Sequence, residues 1–194
     1  SLDMDGQRVY QIRKPKRTPL MHHDAFAILD ALKSKLDAHR PLAPELVRNL
    51  REDMVLKYTY HSNAIEGNTL TLMETKVVLE EGLTIGGRPL RHHLEAINHA
   101  DAITYLEGLV QENVPLDERI LKELHQLVLR GIDSEAGRYR GCNVIISGAG
   151  HTPPDHLHVG ERMQRFFDWY RGEAKSLHPV EKAARVHADL VIIH

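Results

Sequence analysis

Three stretches of the chain carry side chains whose types and spacing could do chemistry. The first is Ser62-Asn63-Ala64-Ile65-Glu66-Gly67-Asn68, which sets a hydroxyl, a carboxylate and a glycine close together. On shape alone it reads as a helix end, with Glu66 in solvent and Gly67 as the left-handed stop that suits glycine. The second runs from Gly137 to Pro154 and holds the β-rich run Val144-Ile145-Ile146, then Ser147-Gly148-Ala149-Gly150 and Pro153-Pro154. These are strand and turn signals, which predict a β-hairpin or flap. Such a hairpin either packs over helices or offers the unpaired N–H and C=O groups of its edge to an extended peptide. The third is the last helix, with His187 and His194. An imidazole can move a proton near neutral pH, but a helix C-terminus favours its charged form, so a basic role for His194 depends on what surrounds it. His187, on the same face, reads as a packed, hydrogen-bonded core histidine.

Fourteen histidines, among them His22-His23, His92-His93 and His151 to His158, invite a metal reading. Neither a His-Glu-x-x-His helix nor zinc-finger spacing occurs, so no metal site is expected within this chain. Cys142 is the one cysteine, which excludes an internal disulfide and fits a reducing compartment. Net charge is -2 and the isoelectric point about 6.7, so no broad positive field recruits nucleic acid. The apolar runs are far shorter than the roughly 18 residues a membrane span needs, and a cytoplasmic protein without a membrane partner is expected.

The elements that must position these groups are helical. Residues 1–19, with Arg13, Lys14, Lys16 and Arg17 around Pro15, read as an extended arm with little to bury, and 20–194 as one domain. Phe26, Ile28, Leu29, Leu32 and Leu36 form a helical stripe, and a second helix is expected from Ala43 to about Tyr60. Thr71 and Glu74 make a capping box for a helix that Gly82 stops. Leu90, Leu94 and Ile97 mark a helix that Pro89 opens; Ile120, Leu124 and Leu127 mark one that Asp117 caps. Val159, Met163, Phe166, Phe167 and Tyr170 share a face, as do Ala183, His187, Leu190 or Val191 and His194 in a helix begun by Pro179. The fold class is therefore all-α, a bundle of about seven helices with one β-hairpin flap.

Taken together, the run Ser62 to Asn68 followed by Thr69-Leu70-Thr71-Leu72, Gly137-Arg138-Tyr139-Arg140, the Val144 to Ser147 strand, His151-Thr152-Pro153-Pro154, and His178-Pro179-Val180-Glu181-Lys182-Ala183-Ala184 through to Ile193-His194 resembles a Fic domain in order and spacing. The likeness covers roughly residues 20 to 194. Its most specific piece is the serine, three residues, glutamate and glycine of the class with an N-terminal inhibitory helix.

The resemblance implies a protein adenylyltransferase that moves AMP from ATP onto a Ser, Thr or Tyr hydroxyl of a target protein. His194, matched to the first residue of the family's His-Pro-Phe-x-x-Gly-Asn-Gly-Arg motif, would be the general base. Val144, Ile145, Ile146 and Ser147 would hold the target segment by main-chain hydrogen bonds. Glu66 would pair with the motif arginine that otherwise grips the γ-phosphate, Ser62 and Gly67 completing the inhibitory helix end. The phosphate-binding loop and the Mg²⁺ ligand are expected beyond residue 194, and the segment as written is expected to be inactive. A de-adenylylating hydrolase on the same fold and a non-catalytic peptide-binding module are the alternatives, and a homo-oligomer is left open.

Overall fold

The computed structural model describes residues 8–11, 23–147 and 152–193. Its order is β1 (Arg8–Gln11), α1 (His23–Asp37), α2 (Pro44–Ile65), α3 (Leu72–Glu81), α4 (Leu90–Gln111), α5 (Glu118–Leu129), β2 (Val144–Ser147), α6 (Val159–Arg171) and α7 (Pro179–Ile193), with 3-10 turns at 156–158 and 173–176. Seven helices thus make up most of the described chain, which falls into two compact units, residues 41–138 and residues 1–40 with 139–194.

In the unit 41–138, α2 packs on α3 and α4, and α4 packs in turn on α3 and α5. Local chemistry fixes each boundary. The Thr71 hydroxyl accepts the Glu74 N–H while the Glu74 carboxylate accepts the Thr71 N–H at 2.6 Å, and Gly82 closes α3 at φ 67°. Asp117 caps α5 by accepting the Ile120 N–H at 2.8 Å. Leu70, Val78 and Ala96 form the buried centre, with Ile85 packed against them.

The buried face of α4 is not the stripe that its large apolar residues suggest. Leu90 and Ile97 are exposed, and His93, Ala96, Asn98 and Ala102 go inside. Two flanks of α4 are covered at once, which favours small side chains and polar ones that bond across to neighbours. His93 accepts the Ile85 N–H at its Nε2 (2.8 Å) and bonds the Pro89 carbonyl through its Nδ1 (3.0 Å), closing the loop before α4. The Asn98 amide donates to the carbonyls of Val128 (3.2 Å) and Arg130 (2.8 Å), satisfying backbone groups that the end of α5 leaves without helical partners.

In the other unit, Val159, Met163, Phe166 and Phe167 are buried as their spacing predicts, and α6 packs on α7. The inner face of α7 differs from the expected one. Val186, Leu190 and Ile193 turn inward, whereas His187 is exposed and is not a core histidine. Helix α1 engages through its first turns, Phe26 stacking on the His178 ring at 4.3 Å and Asp30 meeting His178 Nε2 at 3.2 Å.

Of the expected hairpin flap, the described residues hold the strand β2, Val144–Ser147. Strand β2 pairs in parallel with β1, Arg8 opposite Val144 and Gln11 opposite Ser147, and residues 152–155 form no returning strand. Pro153 and Pro154 have no N–H to give to a ladder, which blocks a second strand there. Residues 148–151 lie outside the described residues.

Asn98→Leu keeps the volume roughly constant but strands the Val128 and Arg130 carbonyls, each of which costs about 1–3 kcal/mol when buried and unpaired. Thermal unfolding of the variant should shift down by several degrees, at roughly 2–4 °C per kcal/mol; an unchanged midpoint would show that the α4–α5 pairing does not rest on this amide.

Candidate functional site

The chemistry-bearing residues are distributed over both units, and each set has its own construction. Ser62 to Gly67 form the C-terminal end of α2, which runs five residues past the expected stop at Tyr60, to Ile65. Glu66 takes the C-cap at φ -85° and Gly67 turns left-handed at φ 92°. The Gly67 N–H donates to the Ala64 carbonyl at 3.1 Å and the Asn68 N–H to the Asn63 carbonyl at 3.0 Å. This pair of bonds is a Schellman ending, which needs a residue at positive φ and so explains the glycine.

Asn68 then ties this end to α4. Its Nδ2 donates to the His92 carbonyl (3.0 Å) and to Glu95 Oε2 (2.9 Å), and its Oδ1 accepts the Leu70 N–H (3.0 Å). The Thr69 N–H adds a bond to His92 Nδ1 at 3.2 Å. Ser62 is half-buried and its hydroxyl makes no hydrogen bond among the described residues; the holding is done by Gly67, Asn68 and Thr69.

Glu66 is exposed on this rigid end, and among the described residues its carboxylate forms no ion pair. A negative side chain at a helix C-terminus faces the negative end of the macrodipole, and the last turn of α2 carries no basic residue to offset it. A carboxylate kept where local electrostatics disfavour it breaks a local rule, and such breaks concentrate at functional positions.

In the other unit, β2 rises from a laced base. Asn143 donates to Asp155 Oδ2 (2.9 Å) and accepts the His156 N–H (2.8 Å), while Asp155 Oδ1 accepts the Leu157 N–H (2.9 Å). The Leu157 amide, then Asn143 and the nearby His156 and His158 rings, hold the Asp155 carboxyl below its ordinary range. Arg140 spans the same base, reaching the Cys142 carbonyl at 2.9 Å and the Pro154 carbonyl. Above it Val144 is buried and Ile145 exposed, the alternation of a strand with one face covered. The side chains of Ile146 and Ser147, and His194 itself, lie outside the described residues.

Sequence reasoning passed over several of the groups that do this holding. Asp155 stands before a helical pattern as a cap should, a readable signal; the partners of Asn68 and Asn143 depend on tertiary placement and leave no local trace. His125 is another. Its Nδ1 accepts the Gly137 N–H at 2.9 Å, anchoring the start of Gly137-Arg138-Tyr139-Arg140. Burial lowers its pKa, against the opposing pull of Asp133 and Glu135. No group of three or more metal-ligating side chains occurs among the described residues, and no helix among them is long and apolar enough to cross a membrane.

Residues 115–194 match the model of the Fic/DOC family. The protein adenylyltransferase Fic of Drosophila willistoni is 35% identical over 171 residues, covering 87% of this chain and 34% of that protein. Its counterpart in Drosophila persimilis is 34% identical over 170 residues, covering 86% and 33%. Among solved structures, Fic-1 of C. elegans superposes with a TM-score of 0.74 at 32% identity, covering 87% of this chain and 50% of that one. A Fic-domain-containing signaling protein of Bacteroides thetaiotaomicron gives 0.79 at 30% identity, covering 86% and 65%. The chain spans about a third of the length of the curated relatives it matches.

Because burial disfavours the charged ring of His125, its native pKa lies below its unfolded one. The stability it contributes is complete above the ordinary histidine range and is lost as pH falls through the lowered native value. Melting temperatures compared between roughly pH 7.5 and 5 should therefore fall less for His125→Asn, whose Oδ1 keeps an acceptor without a titrating ring, than for the unsubstituted chain. Equal falls would show that this ring does not set the acid limit.

Proposed function

We propose that the protein is an autoinhibited protein adenylyltransferase of the Fic/DOC family, whose model residues 115–194 match. The observation that carries the inhibitory half is the end of α2. The serine, three residues, glutamate and glycine pattern lies on a helix terminus that Gly67 and Asn68 hold still, with the Glu66 carboxylate exposed and not committed to an ion pair among the described residues. The names of the relatives support the catalytic half.

In this reading His194 takes the proton from a Ser, Thr or Tyr hydroxyl of the target protein as that oxygen attacks the α-phosphorus of ATP, and pyrophosphate leaves. Strand β2 fixes the register of the target segment through its backbone, so the reacting hydroxyl arrives oriented while the target sequence is read weakly. Glu66 pairs with the motif arginine and thereby excludes the γ-phosphate from its productive place. Its single cysteine suits the reducing cytoplasm, the location we assign.

The test uses a polypeptide that carries the family's His-Pro-Phe-x-x-Gly-Asn-Gly-Arg motif from His194 onward, incubated with labelled ATP and cell protein. Glu66→Gly should raise AMP incorporation about tenfold or more, the scale of an ordinary coupling energy, and His194→Ala should abolish it in both backgrounds. No gain on removing Glu66, together with slower AMP release from a pre-labelled target, would assign Glu66 to hydrolysis instead.

A further inference from the structure

Strand β2 is not a bare edge. Its partner is β1, residues Arg8–Gln11, in parallel register with Val144–Ser147. We propose that residues 8–11 are an internal stand-in for the target segment, and that an incoming extended peptide reaches this edge of β2 by displacing them. The inference rests on the reading of β2 as the strand that holds the target.

Three observations carry it. First, the pairing is small: four residues on each side, two strands and no third among the described residues. A sheet of two strands is marginal in water, and a parallel pair is slightly weaker per residue than an antiparallel one, so the partner is exchangeable. Second, β2 does not need β1 to stay in place. Its base is held by Asn143, Asp155 and His156 and by the reach of Arg140 to the Pro154 carbonyl, and Val144 is buried in the same unit. Loss of β1 therefore frees an edge without removing the strand.

Third, β1 belongs to the same chain, and only residues 12–22 separate it from α1. A tether this short presents a segment at an effective concentration on the order of millimolar, enough to occupy a weak edge and still yield to a better-fitting one. Main-chain pairing is indifferent to most side chains, so a peptide of unrelated sequence can replace residues 8–11 provided it is extended and lacks proline.

Hydrogen exchange of the amides of residues 144–147 tests this in the full chain without any nucleotide. Alternate residues of a strand point their N–H groups to opposite edges, so the double variant Val9→Pro/Tyr10→Pro removes at least one ladder donor wherever the pairing lies. Exchange at 144–147 should rise roughly tenfold in the variant, while amides of 163–167 in α6 stay protected and show the unit intact. A synthetic peptide of residues 6–13 added in trans should restore protection in the variant and change nothing in the unsubstituted chain. Variant amides that exchange like those of the parent, or a variant that the peptide fails to protect, would overturn the proposal. Failure of the adenylylation reading leaves this outcome untouched, because no ATP is present. Conversely, failure here leaves the gain of labelling on Glu66→Gly untouched.

Discussion

A helix must end somewhere, and how α2 ends is the constraint from which the proposed inhibition follows. Its last carbonyls are closed by the N–H groups of Gly67 and Asn68, a geometry open to Gly67 because it turns at φ 92°. The Asn68 side chain then donates both its N–H groups to α4 and accepts the Leu70 N–H, tying the turn to the helix it leans on. Helix α4 is in turn fixed by His93 to the loop before it and by Asn98 to the end of α5. The backbone of Glu66 is thereby held in place, while its exposed carboxylate makes no ion pair among the described residues.

A similar contrast recurs at β2, where a base laced by side-chain bonds supports a short main-chain pairing. Side-chain bonds across Arg140, Asn143, Asp155 and His156 fix where the strand starts, and its pairing with β1 is a short ladder of main-chain groups. Specific side-chain bonds set the strand's position, and under the proposed reading the generic main-chain groups are what a target segment would meet. Helix α1 differs in that its apolar residues Ile28, Leu32 and Leu36 remain exposed beyond the contact of Phe26 with His178.

Much of the helical frame was readable from spacing and caps. Thr71 with Glu74, Gly82, Asp117 and the stripe of α6 each do what their positions announce. What was misread shows where local pattern gives out. In α4 the large apolar residues Leu90, Ile97 and Leu106 point outward, because a helix covered on two flanks selects small and hydrogen-bonding side chains for its buried positions. In α7 the inward face is shifted away from His187 for want of a strong apolar contrast along that helix. Strand signals do not name their partner: β2 pairs with a segment more than a hundred residues earlier, in an arm whose few apolar residues gave no warning. At the candidate site, Glu66 and Gly67 were visible as motif and stop, whereas the anchoring bonds of Asn68 to His92 and Glu95 exist only once α4 is in place.

The central claim is that Glu66 and the terminal phosphate of the nucleotide exclude one another, and two calorimetric titrations address it directly. In a polypeptide continued through the family motif, Glu66→Gln should tighten ATP about tenfold and leave AMP, which lacks the β- and γ-phosphates, unchanged. Equal ATP affinity with and without the carboxylate, or the same gain for AMP as for ATP, would contradict it.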